Sequence, residues 1–156
     1  MLKNKTTRAW AIIIIFVMIF VGLFIWYYKE NYRDPSIFLI PQGYVGEVVI
    51  KYNDLSSPPL PKEGKYIVYK IPKNGVLKTS TEKPQYGIAE DAFYYVDEKG
   101  NRIKKLDPVK EIHGYSTGSK EVIKEDGTKI VYPIHENFLV GTEAQLDQWR
   151  KQFKKQ

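Results

Sequence analysis

The chain has two histidines, His113 and His135, and histidine is the side chain best suited to binding zinc or acting as a base near neutral pH. Glu111 or Glu136 could complete a zinc site with them. Zinc-binding helices hold their ligands at short spacings such as His-x-x-x-His, and neither histidine takes part in one. We therefore interpret both as surface or loop residues.

Hydroxyl nucleophiles lie close to His113, because Ser116, Thr117 and Ser119 follow it. A nucleophilic serine needs a base, an acid that orients the base, and commonly a Gly-x-Ser-x-Gly elbow. Residues 114–118 (GYSTG) have the Gly-x-Ser-x-Gly spacing, but their composition is that of a loop, and we interpret them as a loop rather than an active site. The sequence thus predicts no serine hydrolase site.

Paired carboxylates are the remaining catalytic candidates. Asp97 with Glu98 and Glu125 with Asp126 could act as glycosidase acids only if the fold brought them together. Both pairs fall in predicted hairpin turns, where acidic residues are ordinary. Cysteine is absent, which excludes disulfides, thiolate nucleophiles and the lipidated cysteine of a lipoprotein. We predict no catalytic, cofactor-binding or metal-binding residue.

Twelve tyrosines are the most suggestive feature of the composition. Tyrosine combines apolar area with a hydroxyl, which suits a surface that binds peptide, carbohydrate or protein. It equally suits half-buried strands, and we favour this second interpretation. Seven tyrosines fall inside strand-like runs: Tyr44, Tyr52, Tyr66, Tyr69, Tyr94, Tyr95 and Tyr132.

The chain is organised around residues 9–28, a segment that contains neither a charge nor a proline. At about 1.5 Å per residue it forms a helix as long as the hydrocarbon core of a bilayer is thick, about 30 Å. The alternative is a cleaved signal peptide, whose apolar region is normally ~7–15 residues. Because this run is longer and ends in aromatic residues, we predict an uncleaved membrane anchor that contacts the lipid bilayer.

The basic residues around residues 9–28 predict the orientation of the anchor. Lys3, Lys5 and Arg8 precede it without an acid, whereas Lys29 and Arg33 follow it in company with acids. This bias favours a cytoplasmic N-terminus. The predicted organisation is a cytoplasmic tail (1–8), a transmembrane helix (9–28), a juxtamembrane linker (29–40) and an extracytoplasmic domain (41–156).

The formal charge of +6 gives little support for nucleic-acid binding. Basic and acidic residues are interspersed through most of the domain, and its surplus comes from the last stretch, which contains Arg150, Lys151, Lys154 and Lys155. Without a basic face, we do not expect nucleic acid as a partner. A protein or cell-envelope partner remains open.

The domain reads as short strands separated by turns, followed by one helix. Asp126-Gly127 predicts a tight hairpin turn with positive φ angles. A capping box of Thr142 and Gln145 predicts a helix over 143–155, with Leu146, Trp149 and Phe153 on one stripe. The predicted strands are 44–52, 65–71, 76–81, 86–96, 102–106, 121–124, 129–132 and 138–140. The expected fold is mostly β: a small antiparallel β-sandwich or barrel with one C-terminal helix.

An ordered set of motifs extends this interpretation. The set comprises IPQGYVG at 40–46, PPLP at 58–61, GVLKTS at 75–80, FYY at 93–95 and FLVGT at 138–142. It resembles a bacterial family of uncharacterised domains, many of them membrane-anchored or secreted, and the family is similar in outline to transthyretin-like or carboxypeptidase-regulatory-like sandwiches. The resemblance implies a β fold and carries no catalytic residue onto this chain.

The function predicted from these observations is a membrane-anchored extracytoplasmic binding or structural module without catalytic activity. One alternative is a small membrane-tethered hydrolase whose groups meet only in three dimensions. Another is an accessory subunit of a membrane complex that works through helix contacts, although Gly22 alone forms no Gly-x-x-x-Gly pattern.

Overall fold

The computed structural model describes residues 3–153, without the side chains of residues 3–6, Lys120, Tyr132 and Phe153. The chain divides into two compact units. The first unit is the N-terminal segment up to Arg33 together with Tyr86–Ala89, and the second is Asp34–Gln85 together with the chain from Glu90 onward. The predicted contact of Phe153 and the predicted helical residues 154 and 155 lie outside the described residues.

Helix α1 spans Lys3–Asn31. Among the described residues it is the one helix that is long and apolar enough to cross a membrane, with a mean hydropathy of 2.8 over Thr7–Asn31, although a signal sequence has the same properties. It ends before the Asp34-Pro35 pair, as predicted, because proline disfavours helical backbone in the residue before it.

Two sheets form the second unit. Within residues 3–153 the nine strands are β1 (Ser36–Pro41), β2 (Gly46–Lys51), β3 (Lys62–Glu63), β4 (Tyr66–Lys70), β5 (Val76–Lys78), β6 (Ala92–Val96), β7 (Arg102–Lys105), β8 (Ile112–Ile123) and β9 (Lys129–Val140). The first sheet has the order β3-β4-β1-β6-β7, and the second has the order β5-β2-β9-β8. The mostly-β fold with one helix at each end is confirmed.

The strands are not all antiparallel, which corrects part of the expectation. Strand β1 pairs in parallel with both β4 and β6, and β2 pairs in parallel with β5. The chain alternates between the sheets, so that β2 and β5 of the second sheet serve as crossovers between strands of the first. A parallel pair requires such a crossover, and hairpin turns alone do not provide it.

The interpretation of residues 29–40 as a linker is also corrected. This range contains most of β1, the central strand of the first sheet, and all residues of Ser36–Ile40 are buried. A strand that is buried on both faces is a continuous apolar run without alternation, which a search for period-2 patterns misses.

Strands β8 and β9 form one long hairpin, where we expected three short strands and a loop at 114–118. The small residues of that loop instead lie within β8, at a register shift between His113 and Ser116. The Asp126-Gly127 turn is present, closed by a Gly127 N–H to Lys124 O bond of 2.9 Å. Gly127 has φ +80° and Asp126 does not have a positive φ, so the turn is type I with a left-handed glycine.

The core between the two sheets is aromatic at its centre. The ring of Phe38 stacks on Tyr69 at 4.6 Å and on Phe93 at 4.7 Å, with Phe138 edge-on at 5.4 Å. Such offset and edge-to-face arrangements add to the free energy of burial. Residues that point into this core define the inner face of each sheet, and the alternate residues of each strand lie on its outer face.

Helix α2 (Glu143–Phe153) follows β9. The predicted capping box is confirmed, since Thr142 N–H donates to Gln145 Oε1 at 2.8 Å and Gln145 N–H donates back to Thr142 Oγ1 at 3.4 Å. Leu146 is fully buried and half-buried Trp149 packs against Gly46, so these two residues of the predicted apolar stripe face the sandwich.

Candidate binding cleft

His113 connects separate segments of the fold through its ring nitrogens. Its Nε2 lies 3.1 Å from Lys110 O and 3.0 Å from Gly141 O, and Nδ1 lies 3.4 Å from Glu143 Oε1. Carbonyl oxygens only accept hydrogen bonds, so Nε2 must carry a proton and donate. The ring therefore ties the start of α2 to the chain before β8.

The second histidine lies far from the first. His135 pairs with Gly118, whereas His113 pairs with Leu139, four residues along β9. At about 3.4 Å per residue the two histidines are separated by roughly 13 Å along the strand. In the described part of the chain, no three His, Asp or Glu side chains come together as metal ligands.

The hydroxyls and acids singled out from the sequence are engaged locally. Ser116 donates to Asn137 Oδ1. Asp97 accepts from the side chain and backbone of Asn101, and Asp126 accepts from the Thr128 N–H at 2.9 Å. These hydrogen bonds hold the pKa of both aspartates below its usual value. The aspartates therefore stabilise their turns as carboxylates.

One polar cluster was not predicted from the sequence. Tyr52 donates a short hydrogen bond to Glu136, and its hydroxyl lies 3.1 Å from that of Tyr69. The three residues are 0%, 5% and 4% exposed, respectively, and burial raises the pKa of Tyr52. They connect β9 and the end of β2 to β4 across the core, so the cluster fixes the sheets together in a place that solvent does not reach. The period-2 series Glu136, Phe138 and Val140 on β9 is the sequence signal that turns this glutamate inward.

The outer face of the first sheet is apolar too. Ile37 and Leu39 of β1 and Val68 of β4 form a second buried cluster there, on the side facing away from the second sheet. Half-buried residues of β4 and β6 surround it: Tyr66, Ala92, Tyr94 and Val96. A buried apolar cluster on the outside of a sandwich needs a cover, and the second sheet does not provide one.

The cover comes from the two edges of the same sheet. Glu63 lies on edge strand β3 and Arg102 on edge strand β7, four strand spacings apart, or about 19 Å in a flat sheet. Their side chains nevertheless meet at 2.6 Å, with the Arg102 guanidinium 5.2 Å from the ring of Tyr94. The sheet must therefore curl towards its outer face, and the ion pair bridges the resulting concavity.

A cleft of about 1060 Å³ occupies this concave face. It lies at the carboxyl ends of the parallel strands β4, β1 and β6, with Leu39, Val68 and Val96 on its floor. Two turns flank it, and Lys73 of one pairs with Glu98 of the other at 3.3 Å. Its volume is that of a site for a small molecule or a peptide segment.

The rim of the cleft has an excess of positive charge. Five basic side chains line it (Lys62, Lys70, Lys73, Lys99 and Arg102) against three acidic ones (Glu63, Asp97 and Glu98). Each acid is already engaged, Glu63 by Arg102, Glu98 by Lys73 and Asp97 by its own turn. Within residues 3–153, neither Lys70 nor Lys99 forms an ion pair or side-chain hydrogen bond. The cleft therefore offers an apolar floor beside two uncompensated cations.

Comparison with known proteins places the chain among relatives of undetermined role. A family model described as a family of unknown function (DUF6843) matches residues 32–148. Among solved structures, a crystal structure described as that of a "Putative Lipoprotein from Bacillus anthracis" is 32% identical, covering 73% of this chain and 74% of that one, with a TM-score of 0.60. A search of curated proteins finds no match.

Proposed function

The chain belongs to the DUF6843 family of unknown function, and we propose that it is a non-catalytic binding module, anchored in the cell membrane by residues 9–28 with residues 41–156 outside the cytoplasm. The apolar helix α1 and the likeness to a protein described as a lipoprotein both support membrane association. This chain has no cysteine that could be lipidated. In this proposal the helix takes the role that a lipid anchor has in lipoproteins.

The absence of catalysis is part of the proposal. Within the described residues, His113 is held by two carbonyl oxygens, Ser116 by Asn137, and Asp97 and Asp126 by their turns. A hydrolase with a serine nucleophile needs that serine in contact with a base, and none of these contacts joins one to the other. These local roles favour a binding module over the hydrolase.

The single observation that carries the proposal is the cleft on the outer face of the first sheet. Its floor is apolar, and Lys70 and Lys99 on its rim lack anionic partners among the described side chains. A ligand that combines an apolar group with an anionic group would satisfy both features. We propose that the cleft takes such an acidic amphiphile, with the apolar part on Leu39 and Val68.

The test compares three eight-carbon probes whose headgroups are anionic, neutral and cationic: octanoate, octanamide and octylammonium. Binding to the full chain in zwitterionic nanodiscs is measured by calorimetry, with empty nanodiscs subtracted. One exposed charge contact is worth about 1 kcal/mol, so octanoate should bind roughly fivefold more tightly than octanamide, and octylammonium more weakly than both.

A matched pair of charge reversals sharpens the test. Lys70→Glu with Lys99→Glu should abolish the preference for octanoate, because both unpaired cations are lost. Lys83→Glu with Lys124→Glu changes the net charge equally at exposed lysines outside the cleft and should leave the preference intact. Equal binding of octanoate to both double variants would contradict the proposed ligand class.

A further inference from the structure

Four residues of a loop are held against the end of α1. In Tyr86–Ala89, the Ile88 N–H donates to Asn31 O at 2.7 Å, and the Arg33 N–H donates to Ile88 O at 3.2 Å. The two bonds form a parallel bridge between Ile88 and Tyr32. The loop and the helix end therefore form one compact unit, connected through their backbones.

The approach of the two backbones requires a glycine at position 87. Gly87 has φ +127°, and a Cβ added there would lie 2.9 Å from Asn31 O, closer than real Cβ contacts. Any side chain at this position would be strained and would push the loop away from the helix. The sequence thus permits the contact by leaving this one position without a side chain.

The surface that results is apolar and exposed. Tyr32, Tyr86 and Ile88 are 43%, 64% and 58% exposed, and the ring of Tyr32 stacks on that of Tyr28 at 3.9 Å. We call these four residues the juxtamembrane patch. Tyrosines just beyond the end of a membrane-spanning helix are typical of the aromatic belts of membrane proteins, which lie at the level of the lipid headgroups.

The position of the patch along the helix defines its depth. Tyr32 follows Tyr28, the last residue of the predicted span, by four residues, or about 6 Å of helix rise. The headgroup region adds about 5–7 Å on each side of the hydrocarbon core. A helix that spans the core with residues 9–28 therefore places Tyr32, and with it Ile88, within the headgroup layer.

We propose that the segment Tyr86–Ala89 is a second membrane-contacting site, which binds phospholipid headgroups in the leaflet where α1 ends. This inference rests on the membrane anchor of the proposed function and holds for either orientation. Tyr86 and Ile88 place apolar area among the glycerol and acyl boundary atoms, and the tyrosine hydroxyls remain with the polar groups. The segment lies far from the helix in sequence, since more than fifty residues separate Tyr32 from Ile88, the two partners of the bridge.

The experiment uses the chain's lack of cysteine, which permits single labels without background. The full chain carrying Tyr86→Cys is labelled with a nitroxide and reconstituted in phosphatidylcholine–phosphatidylglycerol vesicles. Power-saturation EPR then compares its accessibility to oxygen, which concentrates in lipid, with that to a water-soluble nickel chelate. Phe20→Cys, at the middle of the span, and Leu55→Cys, 86% exposed in the other unit, provide the lipid and water references.

The oxygen-to-nickel ratio at position 86 should lie between the two references. A water-like ratio at 86 together with a lipid-like ratio at 20 would overturn this inference while leaving the anchor intact. A water-like ratio at 20 would overturn the anchor of the proposed function, and the inference with it.

A second variant tests whether contact with α1 positions the segment. Gly87→Val in the Tyr86→Cys background should move the label towards the water reference, because the added side chain meets Asn31 O. Gly100→Val is the matched control, since Gly100 has φ +83° but nothing within 4 Å of an added Cβ. An unchanged ratio in Gly87→Val would overturn the role of the backbone bridge.

Discussion

The two faces of strand β1 are almost equally buried, yet they have different covers. On the inner face Phe38 and Ile40 are 0% exposed beneath the second sheet. On the outer face Ile37 and Leu39 are 4% and 9% exposed beneath side chains of their own sheet. Burial alone therefore does not distinguish a structural core from the floor of a binding cleft.

The polar groups on each side reinforce this difference. On the inner side, the hydroxyl of Tyr52 is bonded to buried Glu136 and Tyr69, which leaves a closed network. On the outer side, Lys70 and Lys99 are exposed and unpaired within the described residues. We infer that the inner face fixes the fold and that the outer face is available to a ligand.

The largest expected effect comes from the inner face. Phe38→Ala removes a ring that contacts Tyr69, Phe93 and Phe138, and it should lower the free energy of unfolding by about 3–5 kcal/mol. Leu39→Ala, at the neighbouring position on the outer face, should cost about 2 kcal/mol. The cost is smaller because Leu39 lines the cleft, so its removal widens an existing opening and leaves no closed cavity. Urea unfolding of the full chain in nanodiscs, followed by near-UV circular dichroism, measures both.

Ligand binding should rank the same two variants in the opposite order. Leu39→Ala should weaken octanoate binding by removing part of the floor, whereas Phe38→Ala, assayed where it is still folded, should bind as the unchanged chain does. If Phe38→Ala alone weakened binding, the division between the two faces would be wrong.

An intermediate effect is expected from the buried hydroxyl of Tyr52. Tyr52→Phe removes a hydrogen bond to a buried carboxyl group and should cost about 1–3 kcal/mol at neutral pH. Burial raises the pKa of Tyr52, so above about pH 10 the unfolded chain loses a proton that the folded chain keeps. Stability then falls as pH rises, by about 1.4 kcal/mol per pH unit for this group, and Tyr52→Phe should remove that slope.

Urea unfolding between pH 9 and pH 11 measures this alkaline slope. The control is Tyr86→Phe, which removes the hydroxyl of a tyrosine that is 64% exposed. A slope that is the same in Tyr52→Phe and in the unchanged chain would show that the cluster does not stay protonated on folding.

The smallest expected effect on stability concerns the bridge over the cleft. Arg102→Ala breaks the ion pair with Glu63, whose side chain is 59% exposed, and exposed pairs contribute about 0–1 kcal/mol. The same change should make the floor more accessible. A cysteine introduced by Val68→Cys, at a site only 4% exposed, should react faster with a maleimide when Arg102 is absent.

The matched control for this variant is Lys104→Ala, which breaks the ion pair with Glu111, outside the cleft. It should leave the labelling rate at position 68 unchanged. Equal rates in all three backgrounds would mean that Arg102 and Glu63 do not cover the floor.

Features that depend on local sequence were predicted well. The end of α1 before Asp34-Pro35, the capping box of Thr142 and Gln145, and the turn at Asp126-Gly127 each follow from a few neighbouring residues. Alternation in β2 likewise turns Val48, Ile50 and Tyr52 towards the core, where all three are fully buried. In each case the backbone geometry is determined by residues that are close neighbours in the sequence.

Features that depend on distant pairing were missed. Strand β1 has no alternation to reveal it, because both of its faces are buried, and its parallel partners β4 and β6 lie about 30 and 55 residues further along. The cleft depends on the same pairing and also on the curl that brings Glu63 to Arg102. Charge and apolar pattern along the sequence do not encode a concavity whose walls come from three separate segments.

The most direct test of the cleft is to identify where an acidic amphiphile binds. The full chain in nanodiscs is irradiated with a diazirine analogue of octanoate, digested and mapped by mass spectrometry, with excess octanoate as competitor. We expect competed labelling on residues 61–73 and 96–102, the segments that line the cleft together with β1. Competed labelling confined to the β8–β9 hairpin or to α1, with none on those segments, would contradict the assignment of the outer face as the binding site.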